Sequence, residues 1–410
     1  MYEHELIMEK ILEQYRLEME QELENILAYW MKTTIDNDNG GFVGKVDQSG
    51  TIYFDAPKGS VLNSRILWSF SAAYNFTRKD QYLETAVRAF HYLADRFIDK
   101  EFGGVYWTLD YKGNPLDTKK QIYALAFAVY GLSEFYQASK NEHAKEMAID
   151  LYNDIVEHSY DKKNGGYIEA LSRDWNELND LRLSAKDANE RKSMNTHLHV
   201  LEAFANLYYI WPSEILKQQI TELINIFCQY IISNKSDHLL LFFDDKWNSK
   251  SSIVSYGHDI EAAWLVQEAA EIINNELIIL RLKNKSIALA DAASEGLDND
   301  GGLWYEYNPS TNHFIKQKHS WPQAEAMVGF FNAWQLTGEQ KYLQYSLGSW
   351  EFVKNYIQDK KNGEWFWGVN EDYSLMTNED KVGIWKCPYH NSRACIEIIK
   401  RIRNFERLFN

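Results

Sequence analysis

In the stretch SYGHDIEAAW (255–264), His258 follows a Tyr-Gly break and precedes apolar residues at helical spacing. Asp259 has the chemistry of an N-cap, which puts His258 at the lip of a helix with Glu261 one turn on. An imidazole there suits proton transfer near neutral pH, and a carboxylate at i+3 could orient it. A cap and an ordinary helix-surface pair would look the same. His258 therefore gains meaning only from its company.

Similar residue types recur at other helix starts. NSRILW carries Arg65, QIYALAF carries Tyr123, and MNTHLHVLEAF carries Asn195 and His199. HSWPQAEAMVGF carries Trp321, Gln323 and Glu325, and KCPYHNSRACIEII carries His390 and Arg393 just after Trp385. Asn195 and His199 are four apart and share a helix face, whereas His197 points elsewhere, so THLHV is weak as a metal motif. No H-E-x-x-H, P-loop, G-x-S-x-G or dinucleotide fingerprint is present, which removes several chemistries.

A repeat explains why these helix starts would meet. DNDNGGF, DKEFGGVYW, DKKNGGYIE, DNDGGLWYE and DKKNGEWFW place their first glycines at 40, 103, 165, 301 and 363. The spacings of 63, 62, 136 and 62 leave room for one more copy, supplied in degenerate form by SDHLLLFFDDKW (236–247). Six units of about sixty residues signal a repeat architecture. Each phrase reads as a hairpin. After the phrases come Ala- and aromatic-rich helical patterns near 62–76, 120–138, 193–209, 257–274, 322–337 and 389–407. Before the next phrase come more charged ones near 80–98, 142–157, 213–233, 277–295 and 340–357, with a first near 4–31. Twelve helices in six pairs predict an all-α (α/α)6 barrel, one domain over 1–410, with the apolar set as the inner ring. The start of every inner helix then reaches one mouth. An open helical solenoid would share the periodicity.

Composition narrows the partner. Of 410 residues 45% are hydrophobic and 15% aromatic, enough for a large core and for aromatic walls against sugar rings. The net charge of −16, with no basic stretch, disfavours nucleic acid. No apolar run is long enough for a membrane span, and the N-terminal stretch has no signal-peptide core. Three cysteines without metal-ligand spacing fit a reducing cytoplasm.

The motifs RILW, MNTHLHVLEAF, SYGHDIEAAWL, WPQAEAMVGF and WKCPYHNSR resemble, in order, those of the cellobiose 2-epimerases, within the N-acylglucosamine 2-epimerase superfamily. The resemblance runs from about residue 30 to the C-terminus. It implies an (α/α)6 barrel and reversible epimerisation at C2 of a reducing-end glucose. It implies His258 and His390 as the acid/base pair, with His199 and Arg65 as polar partners of the substrate. Glu261 would tune a catalytic His. Tyr123, Asp187, Asn195 and Glu325 would touch sugar, and Trp321 and Trp385 would wall it. No metal or redox cofactor is required, and a monomer is expected. Competing readings are a mannose 2-epimerase or mannose/glucose–fructose isomerase of the same superfamily, an (α/α)6 glycoside hydrolase using two carboxylates, and a non-catalytic glycan-binding barrel.

Overall fold

The computed structural model describes residues 2–409, with side chains from 7 to 405. Helices α1 (Tyr2–Thr33), α3 (Asp80–Tyr92), α5 (Glu142–Ser159), α7 (Glu214–Ile226), α9 (Glu276–Ser294) and α11 (Gln340–Phe352) form an outer ring. Helices α2 (Ser60–Thr77), α4 (Ile122–Ser139), α6 (Met194–Ile210), α8 (Tyr256–Ile272), α10 (Ser320–Thr337) and α12 (Tyr389–Phe409) form the inner ring. Each inner helix packs on the next, and α12 packs back on α2. The twelve helices thus close an (α/α)6 barrel rather than an open solenoid. The ring assignment follows from composition: α4 is buried from Ile122 to Ser133, while α5 buries only one stripe. The charge pattern predicts α3, α7 and α11 as single long helices. Each instead ends in a π turn, at Leu93–Phe97, Phe227–Ile231 and Val353–Ile357.

All six predicted hairpins are present. Their closing bridges are Ile35–Phe42, Ile98–Val105, Tyr160–Tyr167, Ile232–Leu239, Leu297–Leu303 and Gln358–Trp365. The first glycine of each regular copy is left-handed, from φ 73° at Gly165 to 86° at Gly301. In the fourth copy Asp237 takes that conformation at φ 56°, which Asp tolerates better than most side chains. The phrase loses its glycines there without losing its turn.

Short strands stitch the repeats around the mouth. The strand before each inner helix pairs with the far arm of the next hairpin, as in Lys58–Gly59 with Thr108–Leu109 and Lys192–Ser193 with Phe242–Phe243. Val382 bridges Val46 and closes the circuit from last repeat to first. Five repeats add an ion pair on a buried lysine. Each joins the aspartate that opens the phrase to a lysine ahead of the inner helix: Asp36–Lys58, Asp99–Lys120, Asp161–Lys192, Asp298–Lys318 and Asp359–Lys381. In the fourth repeat Ser233 and Val254 occupy the two places, so both partners are lost together. A buried pair is weak evidence for stability and better evidence for register, because one member alone would be a stranded charge.

Candidate active site

The inner-helix starts surround a cavity of about 650 Å³ at the mouth carrying the hairpins. Its wall includes Arg65, Tyr123, Asn195, His199, His258, Glu261, Trp321, Trp385 and His390, and Asp187 reaches it from the loop before α6. A positional rule underlies this. Arg65, His199, Glu261 and Glu325 each occupy the sixth residue of their helix, while Tyr123, Asn195, Trp321 and His390 occupy the second. Equivalent positions in successive repeats project at equivalent heights, so the repeat itself gathers the groups.

The fourth residue of the inner helix does another job. His197 Nε2, Asp259 Oδ1 and Gln323 Oε1 accept the backbone N–H of Tyr167, Leu239 and Leu303, at 2.9, 2.8 and 2.7 Å. Each side chain staples a hairpin to the helix beneath it. This corrects the reading of Asp259 as an N-cap: the helix starts at Tyr256, and Asp259 is spent on the hairpin. It also accounts for His197.

The three cavity histidines carried by inner helices are each anchored through Nδ1. His199 faces Glu202 at 2.9 Å, His390 faces Glu325 at 2.7 Å, and His258 faces the Ser255 hydroxyl at 2.8 Å. Nε2 is left as the working nitrogen of each ring. Trp321 lies between two of them, its ring 4.7 Å from His258 and 5.7 Å from His390. A Cβ on Gly257 would come within 2.6 Å of that indole, so glycine permits the approach.

Two sequence expectations need correction. Glu261 does not bond His258. It accepts from Arg393 Nη2 at 2.8 Å and lies 3.9 Å from His390 Nδ1. Glu325 is not placed on the cavity wall as a sugar contact. It stands behind His390, accepting also from Arg393 at 2.7 Å and from the Trp264 indole at 3.1 Å. An i+3 spacing allows a pair but cannot reveal a stronger donor arriving from another helix. That donor is Arg393, 2% exposed, whose guanidinium also bonds Glu202 and the Tyr389 hydroxyl. The side chains of Glu261, Glu325 and His390 are also the types that could hold a metal ion, their ligand atoms lying within 4.8 Å of one another. Arg393 already bonds both carboxylates and supplies the positive charge a cation would bring.

Arg65 is as deeply buried but differently placed. It donates to the Tyr123 hydroxyl at 2.7 Å and lies over the rings of Phe127 and Tyr389 at 4.1 and 4.8 Å. None of the ion pairs among the described residues uses it, so its charge faces the cavity uncompensated.

Burial sets the protonation states. It pushes the His258 imidazole down to about 3, with His199 adding to the effect. It also lowers His390, helped by Arg65 and Arg393, and lowers His199 despite Glu202. All three rings are thus neutral around pH 7, below the near-neutral titration that imidazoles suggest from sequence alone. Burial and the neighbouring Glu325 charge raise Glu261 to about 8. Burial works against Glu202 too, but Arg393 and His199 outweigh it and hold that carboxylate at about 2.

Residues from the hairpin arms, Glu169, Tyr305, Glu306 and Trp367, and His319 just ahead of α10 complete the wall; the helix-centred reading missed them. Tyr305 stacks on His319 at 4.0 Å. The signal was present in the aromatic tails of the phrases, WYE and WFW.

Residues 40–394 match the family described as N-acylglucosamine 2-epimerase (GlcNAc 2-epimerase). The chain belongs to that family. Within the N-acylglucosamine 2-epimerases it is 50% identical to a cellobiose 2-epimerase of Bacteroides fragilis, over 96% of this chain and 100% of that one. It is 39% identical to a cellobiose 2-epimerase of Dictyoglomus turgidum, over 92% and 96% of the two chains. Among solved structures, the cellobiose 2-epimerase of Bacillus thermoamylovorans B4167 superposes with a TM-score of 0.89. It is 38% identical over 96% of this chain and 99% of that one.

Proposed function

We propose that this chain is a cofactor-independent isomerase, a cellobiose 2-epimerase. It inverts C2 of the reducing-end glucose of β-1,4-linked disaccharides, cellobiose to 4-O-β-D-glucosyl-D-mannose and lactose to epilactose. The observation that carries the reading is the pair His258 and His390: neutral imidazoles from two repeats, on one cavity, each held through Nδ1 and flanking Trp321. The near-full-length similarity to cellobiose 2-epimerases supports the choice of substrate.

The chemistry follows from the geometry. Once the reducing sugar opens to its aldehyde, the C2 proton is acidic because the carbonyl takes up the charge. A neutral His Nε2 removes that proton and leaves a cis-enediolate. Arg65, with no carboxylate to neutralise it, stabilises the enediolate oxygen. The second histidine takes up a proton from solvent as the enediolate charge develops beside it and delivers it to the opposite face of C2. The first, now imidazolium, releases its proton to solvent, and the reverse reaction exchanges the two roles. The carboxylate of Glu202 keeps the His199 proton on Nδ1, so His199 Nε2 acts as an acceptor toward a sugar hydroxyl. Asn195 Oδ1, buried and without a protein partner among the described residues, is the matching acceptor beside it. Tyr123, Asp187, Trp321 and Trp385 form the remaining sugar contacts.

The reading extends to a single-domain monomer in a reducing cytoplasm, with no nucleic-acid partner. The net charge of −16 and three free cysteines support it. No helix of the described chain is long and apolar enough to cross a membrane.

Incubation with cellobiose in D2O, followed by proton NMR, tests the proposal. A mannose-type reducing end with deuterium at C2 and an intact glycosidic bond is expected. Exchange into free mannose or glucose alone would favour a monosaccharide enzyme, and release of glucose would favour hydrolysis by carboxylates.

A further inference from the structure

The fourth repeat lacks the Asp–Lys lock, yet it carries His258. In its place stands another ionic contact. His238, on the fourth hairpin, presents Nδ1 to Asp259 Oδ2 at 2.7 Å and Nε2 to Glu295 at 3.4 Å. The other oxygen of Asp259 accepts the Leu239 N–H. The staples of the third and fifth repeats are His197 and Gln323, and neither is an acid. The fourth is therefore the one staple whose acceptor is a carboxylate, fully buried and matched by a histidine. Asp259 is also the residue after His258.

We propose that His238 is a positioning residue for the reaction: its imidazole, clamped between Asp259 and Glu295, holds Asp259 on the Leu239 N–H and fixes the helix turn that presents His258. The proposal rests on the reading of His258 as a proton-transfer group. The groups facing His238 are Asp259 and Tyr256 of α8, the Tyr256 ring 6.0 Å away, and Glu295 at the end of α9. Beside it on the hairpin, Asp237 is paired with Lys285 of α9 at 3.8 Å. Burial works against the charged imidazole, but Asp259 and Glu295 outweigh it and raise His238 above the ordinary histidine value. The clamp therefore has both N–H donors and its charge at pH values below the ordinary histidine pKa, and as pH rises through the raised one it loses the charge and one of the two donors. In the other five repeats a lysine does the locking, and lysine does not titrate in this range.

The test compares the full-length protein with H238Q and D259N, reading kcat and KM for cellobiose across the neutral range together with Tm. Both variants should fold, keep KM within about twofold and lose about five- to twentyfold in kcat, as small misplacements of a reacting group do. The part of the alkaline decline of kcat that follows His238 should disappear in H238Q, where the side chain at 238 does not titrate, while any part set by Glu261 should remain. Variants that lose only Tm, with the parent's kcat and pH profile, would overturn the proposal. NMR of 15N-histidine-labelled parent gives a reading free of variants and of turnover: the His258 signals should move as His238 titrates. Silence at His258 would overturn the proposal even if a variant failed to fold. A parent that does not epimerise cellobiose would sink the proposed function instead, while the NMR coupling would still report on the clamp.

Discussion

Arg65 and Arg393 are buried alike, at 3% and 2% exposure, yet one is wrapped in aromatic faces and the other in carboxylates. Arg393 spends its charge on Glu202, Glu261 and Glu325, and through them fixes His199 and His390. Arg65 spends almost none of its charge on the protein. The cavity wall thus holds groups that are anchored but unsatisfied, and the layer behind it holds groups that satisfy one another. Chemistry needs the first condition and folding needs the second.

Substitutions should separate the two layers. H258A and H390A are expected to lower kcat by about 10²- to 10⁴-fold with Tm close to the parent's, as loss of a general acid/base does. R393L should do the reverse in kind. It leaves three buried carboxylates without their cation, and urea unfolding should show a loss of about 3–5 kcal/mol, with activity falling as a consequence. R65K keeps the charge but not the planar fork between Phe127 and Tyr389. It should lower kcat by about tenfold while leaving stability within ~0.5 kcal/mol, measured by kinetics and unfolding together. A pH profile sharpens the contrast without mutation. Burial favours the neutral rings, so the acid limb of kcat should lie below the ordinary histidine value of 6.5. An acid limb above that value would mean that the histidines work as imidazolium in the resting enzyme. The smallest effect is expected from S233D/V254K, which installs the missing lock in the fourth repeat. Tm should rise by a few degrees with kcat unchanged, since the site already has His238 on its staple.

Much of this arrangement was legible in the sequence. The spacing of the glycine phrases gave the number of repeats and located a copy that had lost its glycines. Apolar periodicity located all twelve helices, nine of them to within about two residues at each end, and overran only α3, α7 and α11, by the length of their π turns. Alignment of the helix starts then brought His199, His258 and His390 to one place before any contact was known. What stayed hidden was how side chains pair across helices. Glu261 and Glu325 are ordinary by spacing, and their bond to Arg393 exists only once α12 lies beside α8 and α10. The Asp–Lys locks were visible in principle, as an aspartate opening five of the six phrases and a lysine two residues before most inner helices. They carried no local signal of burial. The π turns ending α3, α7 and α11 left no pattern to read, because one added residue in a final turn scarcely disturbs the apolar period.

The seam between α12 and α2 also bears on biosynthesis. Glu202, Glu261 and Glu325 leave the ribosome before Arg393, and synthesis proceeds at about 5–20 residues per second. For several seconds the growing chain holds three acids meant for the interior and no cation to receive them. Arrival of α12 brings the countercharge, the last wall and His390 in a single segment, so closure of the barrel and assembly of the site are one event.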